Sequence, residues 1–467
     1  MFFDIICCVD MNNGFGYFNK DNKIFNLPWK NINDMNYFTK KTKYTNNPLK
    51  KNIILMGKNT FLSITRILPE RMNIVISKDK LEVAGLTTIR KFDDVFKYYS
   101  DKIENIFVIG GVKLIESVLN HPRLRYIYIN KINKVYNCNI YLSNIIENKQ
   151  FKIINNENSN NINYYKLENT LYSDEYQYLK LLKKVLYKGD KRQTRNATTY
   201  SLFSNSLKFD LDDKFPILTT KKVFFRGIVE ELIWFLKGET NSKILEKKKV
   251  NIWKGNSSKE FLEKVDLNYV EGDIGNMYGF QWKHFGADYY GYDKSYDRKG
   301  YNQLDYILNT LIEDPFSRRI IMTTFDPSQV NKGVLYPCHG LITQFYVNQE
   351  DGIRYLSCHM YQRSADMFLG VPFNITSYSL LCYLICEILN NISEFKYKPK
   401  ELTISFGDLH IYEIHREAVL KQIDRLPFEY PTLKFNKKIE NFNDLKYEDI
   451  ELNNYFYHPS IKAEMVS

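Results

Sequence analysis

Neither Cys-x-x-Cys nor His-Glu-x-x-His occurs in this sequence, so the common zinc spacings are missing. Cys338-His339 and Cys358-His359 do not replace them. Neighbouring residues on a strand point to opposite faces and rarely share one ion, so no metal is expected. No stretch is expected to reach the length of an apolar membrane span. The residues Met1-Phe2-Phe3-Asp4-Ile5-Ile6 lack the basic region of a secretory leader and meet an acid almost at once. Seven cysteines, an odd number at irregular spacings, point away from a disulfide framework; a cytoplasmic protein with reduced thiols is expected. Also missing are an internal repeat and a Gly-x-Gly-x-x-Gly after a strand, the usual dinucleotide fingerprint.

What is present is a chain of 467 residues, long enough for two or three domains with separate cores. Its net charge of +11 admits nucleic acid, an acidic membrane surface or a polyanionic small molecule as partner. Lys and Arg are scattered, and short runs such as Lys50-Lys51 and Lys247-Lys248-Lys249 read as solvated faces. Neither a membrane nor nucleic acid is therefore expected as the main partner.

Apolar runs of strand character, Phe3–Val9, Ile53–Met56, Ile74–Ser77, Ile106–Ile109 and Tyr126–Ile129, alternate with helix-like Asp34–Thr42 and Val112–Leu119. That alternation favours an α/β sheet domain over residues 1–168. The Asn-rich stretch 156–166 reads as a loop near its end, and a short junction is expected over 169–180. From 181 to 467 the pattern suggests a larger α+β domain. Its helices are expected at Ile228–Leu236, Gln303–Glu313, Ser377–Leu389 and Ile411–Gln422, among strands such as Leu341–Val347 and Ile404–Phe406. The helix-like segment Glu175–Tyr187 leads into it.

In this second part Tyr336-Pro337-Cys338-His339 precedes a strand-like run, with Asp314-Pro315-Phe316-Ser317-Arg318-Arg319 upstream and Tyr361-Gln362-Arg363-Ser364-Ala365-Asp366 downstream. Arginines near a thiol favour the thiolate and can clamp a phosphate by paired hydrogen bonds. An electrophilic ring bearing a phosphate is a reasonable substrate class. Any single cysteine is more often packing than chemistry, and Arg-Arg pairs are usually surface charge. No one of these motifs decides the matter.

Together they resemble thymidylate synthase. The matching pieces are Phe215 through Lys221, Glu231-Leu232-Ile233-Trp234-Phe235, Tyr278-Gly279-Phe280-Gln281-Trp282, Asp314 through Ile321, Pro337-Cys338-His339, Tyr361 through Asn374 and Gly407 through Tyr412. The resemblance runs from about Glu175 onward and implies that Cys338 adds to the uracil ring of dUMP, making the neighbouring carbon nucleophilic. It implies that Arg363 and Ser364 hold the phosphate. Arg318 and Arg319 would reach it from the other subunit of a homodimer. Asn374 would read the pyrimidine edge, and His410 and Tyr412 the sugar hydroxyl. Glu231 would organise proton transfer, while Asp366 and Trp253 would meet the co-substrate methylene-tetrahydrofolate. An Asn at 374 argues against a cytosine-reading hydroxymethylase on the same fold.

Two departures stand out. The family usually carries an Arg-Thr-Gly loop where this chain reads Gly189 through Thr199. Counting forward from Gly189 selects Arg195, and counting back from Tyr200 lands on Thr194; Arg195 is taken as the phosphate-binding residue because the chemistry needs a cation. Met465-Val466-Ser467 stands where the family often has an apolar end closing over the site, and a weaker lid is expected.

In the first part, Leu27-Pro28-Trp29 precedes Asp34, which shares a helix face with Phe38. A carboxylate there could protonate or orient a flat nitrogen heterocycle; more commonly it would serve the helix dipole. Gly110-Gly111 between a strand and a helix suits phosphate approach. With Met56 through Thr60, Leu68 through Ser77 and Phe107 through Gly111, this part resembles dihydrofolate reductase. The resemblance implies a central mixed, mostly parallel sheet flanked by helices. Asp34 would orient the pterin, Phe38 pack on the folate and Arg71 pair with its glutamyl carboxylate. Lys58, Thr60, Ser77, Gly110 and Gly111 would line the NADPH site. Lys58 stands for a more usual Arg, Ile115 for a Tyr against the nicotinamide, and Asn130 for a Thr bonding the catalytic carboxylate. Gly14-Phe15-Gly16 is expected in a long loop before Leu27. The order, reductase then synthase, resembles the bifunctional enzymes of protists and plants. The alternatives are a synthase whose first domain binds folate with little or no reduction, and a regulatory RNA-binding protein.

Overall fold

The computed structural model describes residues 2–20, 24–98, 102–169, 173–194 and 197–466, and the chain divides into two compact units, Met1–Tyr172 and Ser173–Ser467.

The first unit is built on eight strands: β1 Phe3–Val9, β2 Lys51–Gly57, β3 Arg71–Ile76, β4 Leu86–Ile89, β5 Ile103–Val108, β6 Leu124–Ile132, β7 Phe151–Ser159 and β8 Ile162–Asn169. They run in the order β7-β8-β6-β1-β5-β2-β3-β4. Only the β7–β8 and β8–β6 pairings are antiparallel, so the sheet is mixed and mostly parallel, as expected. Side chains of β1 alternate between two cores, with Phe3, Ile5, Cys7 and Val9 in one and Ile6 in the other. A strand buried on both faces reads as a continuous apolar run, which is why β1 and β2 are visible in the sequence. Helix α1, Ile32–Lys43, starts at Asn31, whose side chain accepts from the N–H groups of Asn33 and Asp34. Helices α2, Lys58–Ile64, and α3, Val112–Ser117, follow β2 and the Gly110-Gly111 turn.

Two expectations here are corrected. Residues 156–166 are not a loop; they belong to the β7–β8 hairpin, turned by Asn160 and Asn161 at φ 53 and 61. Asn tolerates that left-handed backbone, and most β7 side chains face water, so the strand carries no apolar alternation. Gly14-Phe15-Gly16 opens a strand, Gly14–Asn19, paired with Ile24–Asn26 and Ile140–Tyr141. A Cβ on Gly14 would stand 2.6 Å from Cys138 Sγ.

The second unit holds β9 Asp190–Gln193, β10 Thr198–Asp210, β11 Ile321–Met322, β12 Ile342–Glu350, β13 Ile353–Asp366 and β14 Lys396–Tyr412, in the order β9-β10-β14-β13-β12-β11. Helix α4, Glu175–Lys188, begins six residues after β8 ends, within the stretch expected to join the domains. Helix α5 is Phe225–Leu236, α6 is Gln303–Glu313, and α7, Gly370–Ile392, lies against β13 and β14. By length and composition α7 could cross a membrane, which corrects the expectation that no stretch is long enough; 83% of its apolar window is buried, as in the core helix of a domain. Ile411–Gln422 is not one helix: Ile411 and Tyr412 end β14, and α8 is Arg416–Ile423. A single 3-10 turn, Glu413–His415, separates them.

Candidate active sites

Cys338 sits ahead of β12, half-buried, with its backbone N–H donating to the Tyr278 hydroxyl at 3.0 Å. Residue 363 of β13 donates its N–H to the Cys338 carbonyl at 2.8 Å, which fixes the cysteine loop to the strand. The Arg363 guanidinium lies 3.8 Å from Cys338 Sγ, with Nε donating to the Pro337 carbonyl at 3.2 Å. Burial pushes the thiol above its ordinary value and Arg363 opposes this, burial being the larger effect. That corrects the expectation of a thiol lowered by several arginines: among the described residues Arg363 is the guanidinium set against it, and the cost of desolvating the anion prevails. Arg318 and Arg319 are exposed in the turn between α6 and β11, where their carbonyls accept from Gln344 and the Tyr306 hydroxyl.

Glu231 projects from α5, and the Trp253 indole donates to its Oε1 at 2.7 Å. Burial pushes this carboxyl up to about 7, with the Trp253 hydrogen bond opposing. A carboxyl near neutrality can both take and give a proton at physiological pH. Trp253 is buried against Phe235 and Tyr278, and Tyr278 stacks on His339 at 4.5 Å. Burial drives the His339 imidazole down to about 4, so that ring is neutral.

Parallel pairing of β13 with β14 sets Ser364 beside Asp408 and Asp366 beside His410. His410 Nδ1 lies 3.0 Å from Asp408 Oδ1 and holds that carboxyl below its usual range. Tyr412 contacts the His410 ring edge-on at 5.2 Å. Asp366 accepts from the N–H groups of Phe368 and Leu369, just ahead of α7, and Asn374 is buried on the first turns of that helix. Arg195 lies outside the described residues; in the same stretch Arg192 reaches Asp408 Oδ2 at 3.2 Å.

In the first unit a cleft of about 1310 Å³ is lined by Asp34, Phe38, Lys58, Thr60, Gly111 and Asn130, among others. Asp34 lies in the first turn of α1 but is buried, and Asn130 Nδ2 donates to its Oδ1 at 2.6 Å. Burial raises the Asp34 carboxyl, while hydrogen bonds from Asn130 and Cys8 lower it. This carboxylate is therefore more than a helix-end charge. Gly110 adopts φ +134, a left-handed backbone that suits glycine, and a Cβ on Gly111 would crowd Thr60 Oγ1 of α2 at 3.3 Å, so the turn packs closely on that helix. Lys58 is paired with Asp79 at 2.8 Å.

Some expected residues lie apart from the cleft lining. Arg71 is buried with Nη1 donating to Thr42 Oγ1 at 2.7 Å and its guanidinium 6.0 Å from the Phe38 ring centre. Ser77 is buried and accepts from the Asp79 N–H at 3.2 Å. Ile115 is fully buried in the core beneath α3. The sequence reading assigned no role to Tyr278, His339 or Cys8. Tyr278 is 60 residues from Cys338, and no local spacing signals their hydrogen bond.

A thymidylate synthase family model matches residues 176–467, and a dihydrofolate reductase family model matches residues 3–173. A bifunctional dihydrofolate reductase-thymidylate synthase of Paramecium tetraurelia is 36% identical over 480 residues, covering 99% of this chain and 98% of the relative. Similar proteins of that name from Zea mays and Leishmania major are each 34% identical, covering 94% and 99% of this chain and 93% and 95% of their own lengths. With both models matched in that order, and relatives that are similar along nearly the whole length, the chain belongs to the bifunctional dihydrofolate reductase–thymidylate synthases.

Proposed function

We propose that the larger domain, 181–467, methylates dUMP through Cys338, and that the smaller, 1–168, reduces the dihydrofolate product through a site centred on Asp34. The observation that carries the first half is Cys338 Sγ at 3.8 Å from the Arg363 guanidinium, with the Glu231 carboxyl at about 7 linked to it through Trp253, which packs on Tyr278, whose hydroxyl accepts from the Cys338 N–H. The thiolate would add to the uracil ring, and Arg363 and Ser364 would grip the phosphate. Buried Asn374 would present both donor and acceptor to the pyrimidine edge, and His410 and Tyr412 would bond the sugar. Glu231 would relay protons, with Trp253 and Asp366 facing methylene-tetrahydrofolate.

Arg318 and Arg319 would reach the same phosphate from the other subunit of a homodimer. Exposed Ile342, Tyr346 and Tyr361, which share one face of the β12–β13 pair, support a homodimer.

In the reductase domain Asp34 would hold and protonate the pterin, Phe38 would pack on the folate and Arg71 would pair with its glutamyl carboxylate. Lys58, Thr60, Ser77 and the Gly110-Gly111 turn would hold NADPH, which when bound supplies a hydride. The bond from Asn130 to Asp34 keeps the contact expected of a threonine there, in support of reduction rather than binding alone.

Two assays test this reading. Tritium release from ring-labelled dUMP with methylene-tetrahydrofolate should vanish in Cys338→Ser; retained release refutes the nucleophile. NADPH oxidation with added dihydrofolate should fall to background in Asp34→Asn; an unchanged rate refutes the reductase site.

A further inference from the structure

Glu175 opens α4 with a carboxylate shut off from water, 0% exposed. Its Oε2 accepts from the Thr219 N–H at 2.8 Å and the Thr219 hydroxyl at 2.6 Å. Its Oε1 accepts from the Thr220 N–H at 2.9 Å and the Thr220 hydroxyl. Each oxygen thus takes both donors of one threonine. A backbone N–H cannot reverse, so only a group with two accepting ends serves both residues. A buried charge is costly unless its bonds are made, and a fully bonded one holds its partners rigidly.

The threonine pair is tied in at its other end as well. The Thr219 carbonyl accepts from the His458 N–H at 2.8 Å, and the Thr220 carbonyl from Arg425 Nη1 at 2.7 Å. The next residue, Lys221, is 6% exposed, stands 3.6 Å from the Phe368 ring centre and donates to the Phe368 carbonyl. Burial lowers its ammonium, while the Asp366 and Glu175 carboxylates oppose. Phe368 also gives its N–H to Asp366 Oδ1 at 2.9 Å. Residue 368 is therefore held through its N–H by Asp366 and through its carbonyl by Lys221. A lysine stem is flexible, so its ammonium keeps that carbonyl only if its backbone is fixed. Resting on the reading of Asp366 as the folate-facing acid, we propose that Glu175 is a positioning residue for the synthase folate site. Through Thr219 and Thr220 it sets Lys221, which holds Phe368 and with it the Asp366 turn.

Glu175→Gln keeps the size and one accepting end, and leaves the N–H of one threonine facing an amide donor. Two constants are compared in wild type, Glu175→Gln, Lys221→Met and the double variant: KM for methylene-tetrahydrofolate at saturating dUMP, and Kd for dUMP by calorimetry. In Glu175→Gln the KM should rise about tenfold, the scale of one lost buried hydrogen bond, with kcat falling less and Kd for dUMP holding within about twofold. Because the effect runs through Lys221, the double variant should show no larger rise than Lys221→Met alone. Thr220→Val, which takes one hydroxyl from the clamp, gives a second reading should Glu175→Gln not fold, with a rise of about threefold. An unchanged KM, equal losses for both ligands, or a double variant whose rise is the product of the single ones would overturn the proposal. A raised KM in Asp366→Asn beside an unaltered one in Glu175→Gln sinks this inference alone; an unaltered KM in Asp366→Asn sinks the reading of Asp366 beneath it.

Discussion

The indole N–H of Trp253 is bonded to Glu231 Oε1 at 2.7 Å, and this bond holds down a carboxyl that burial has raised to about 7. Trp253→Phe keeps the ring and removes the donor. The Glu231 carboxyl should then rise further, and the limb of the synthase pH–rate profile that reports it should move to higher pH by roughly one unit. A profile that keeps its shape and position would separate Trp253 from proton transfer.

Arg363 lowers the Cys338 thiol against a larger rise from burial. In Arg363→Gln the thiol should titrate higher than in wild type. Alkylation of Cys338, followed against pH with the other cysteines quantified in Cys338→Ser, should shift its midpoint upward. The KM for dUMP should rise in the same variant as the phosphate clamp is lost.

If Arg318 and Arg319 act across a subunit boundary, inactive chains should complement one another. Arg318→Ala/Arg319→Ala mixed with Cys338→Ser under exchanging conditions should recover up to about a quarter of wild-type synthase activity, since half the dimers are mixed and each has one intact site. Recovery of nothing, with subunit exchange verified, would place both arginines in the cysteine's own chain.

Lys221 is buried, with Nζ donating to the Phe368 carbonyl, and desolvation pushes it down to about 7 from an ordinary 10.5. Its folded value lies below its unfolded one, so between those limits the unfolded chain binds the extra proton. Stability from this residue therefore rises with pH from about 7 and is complete above 10.5. Comparing denaturant unfolding of wild type with Lys221→Met between pH 7 and about 9 should show a slope in the difference, the variant gaining most at the lower end.

Legibility followed burial. Strand β1 was evident because both of its faces enter cores, and α6 because its apolar stripe is regular. The β7–β8 hairpin was hidden because its outer strand faces water and is rich in Asn, which composition reads as a loop. In the synthase domain, Cys338, Arg363 and Ser364 could be singled out from short motifs, since one loop and one strand carry them. Tyr278 and His339 were missed as a pair because their stacking depends on tertiary approach. The motif reading placed arginines around the thiol but could not weigh them against desolvation, which depends on depth.

Helix α7 is at once a deeply buried rod of its domain and the carrier of Asn374, with the Asp366 turn at its leading end. If Asn374 reads the pyrimidine as proposed, ligand choice and structural sturdiness are mechanically tied. A methyl group added or removed well down that rod, around Leu384 or Ile388, would then tilt its amide. Drift in hydrocarbon packing should surface first as altered base discrimination, before any drop in melting temperature.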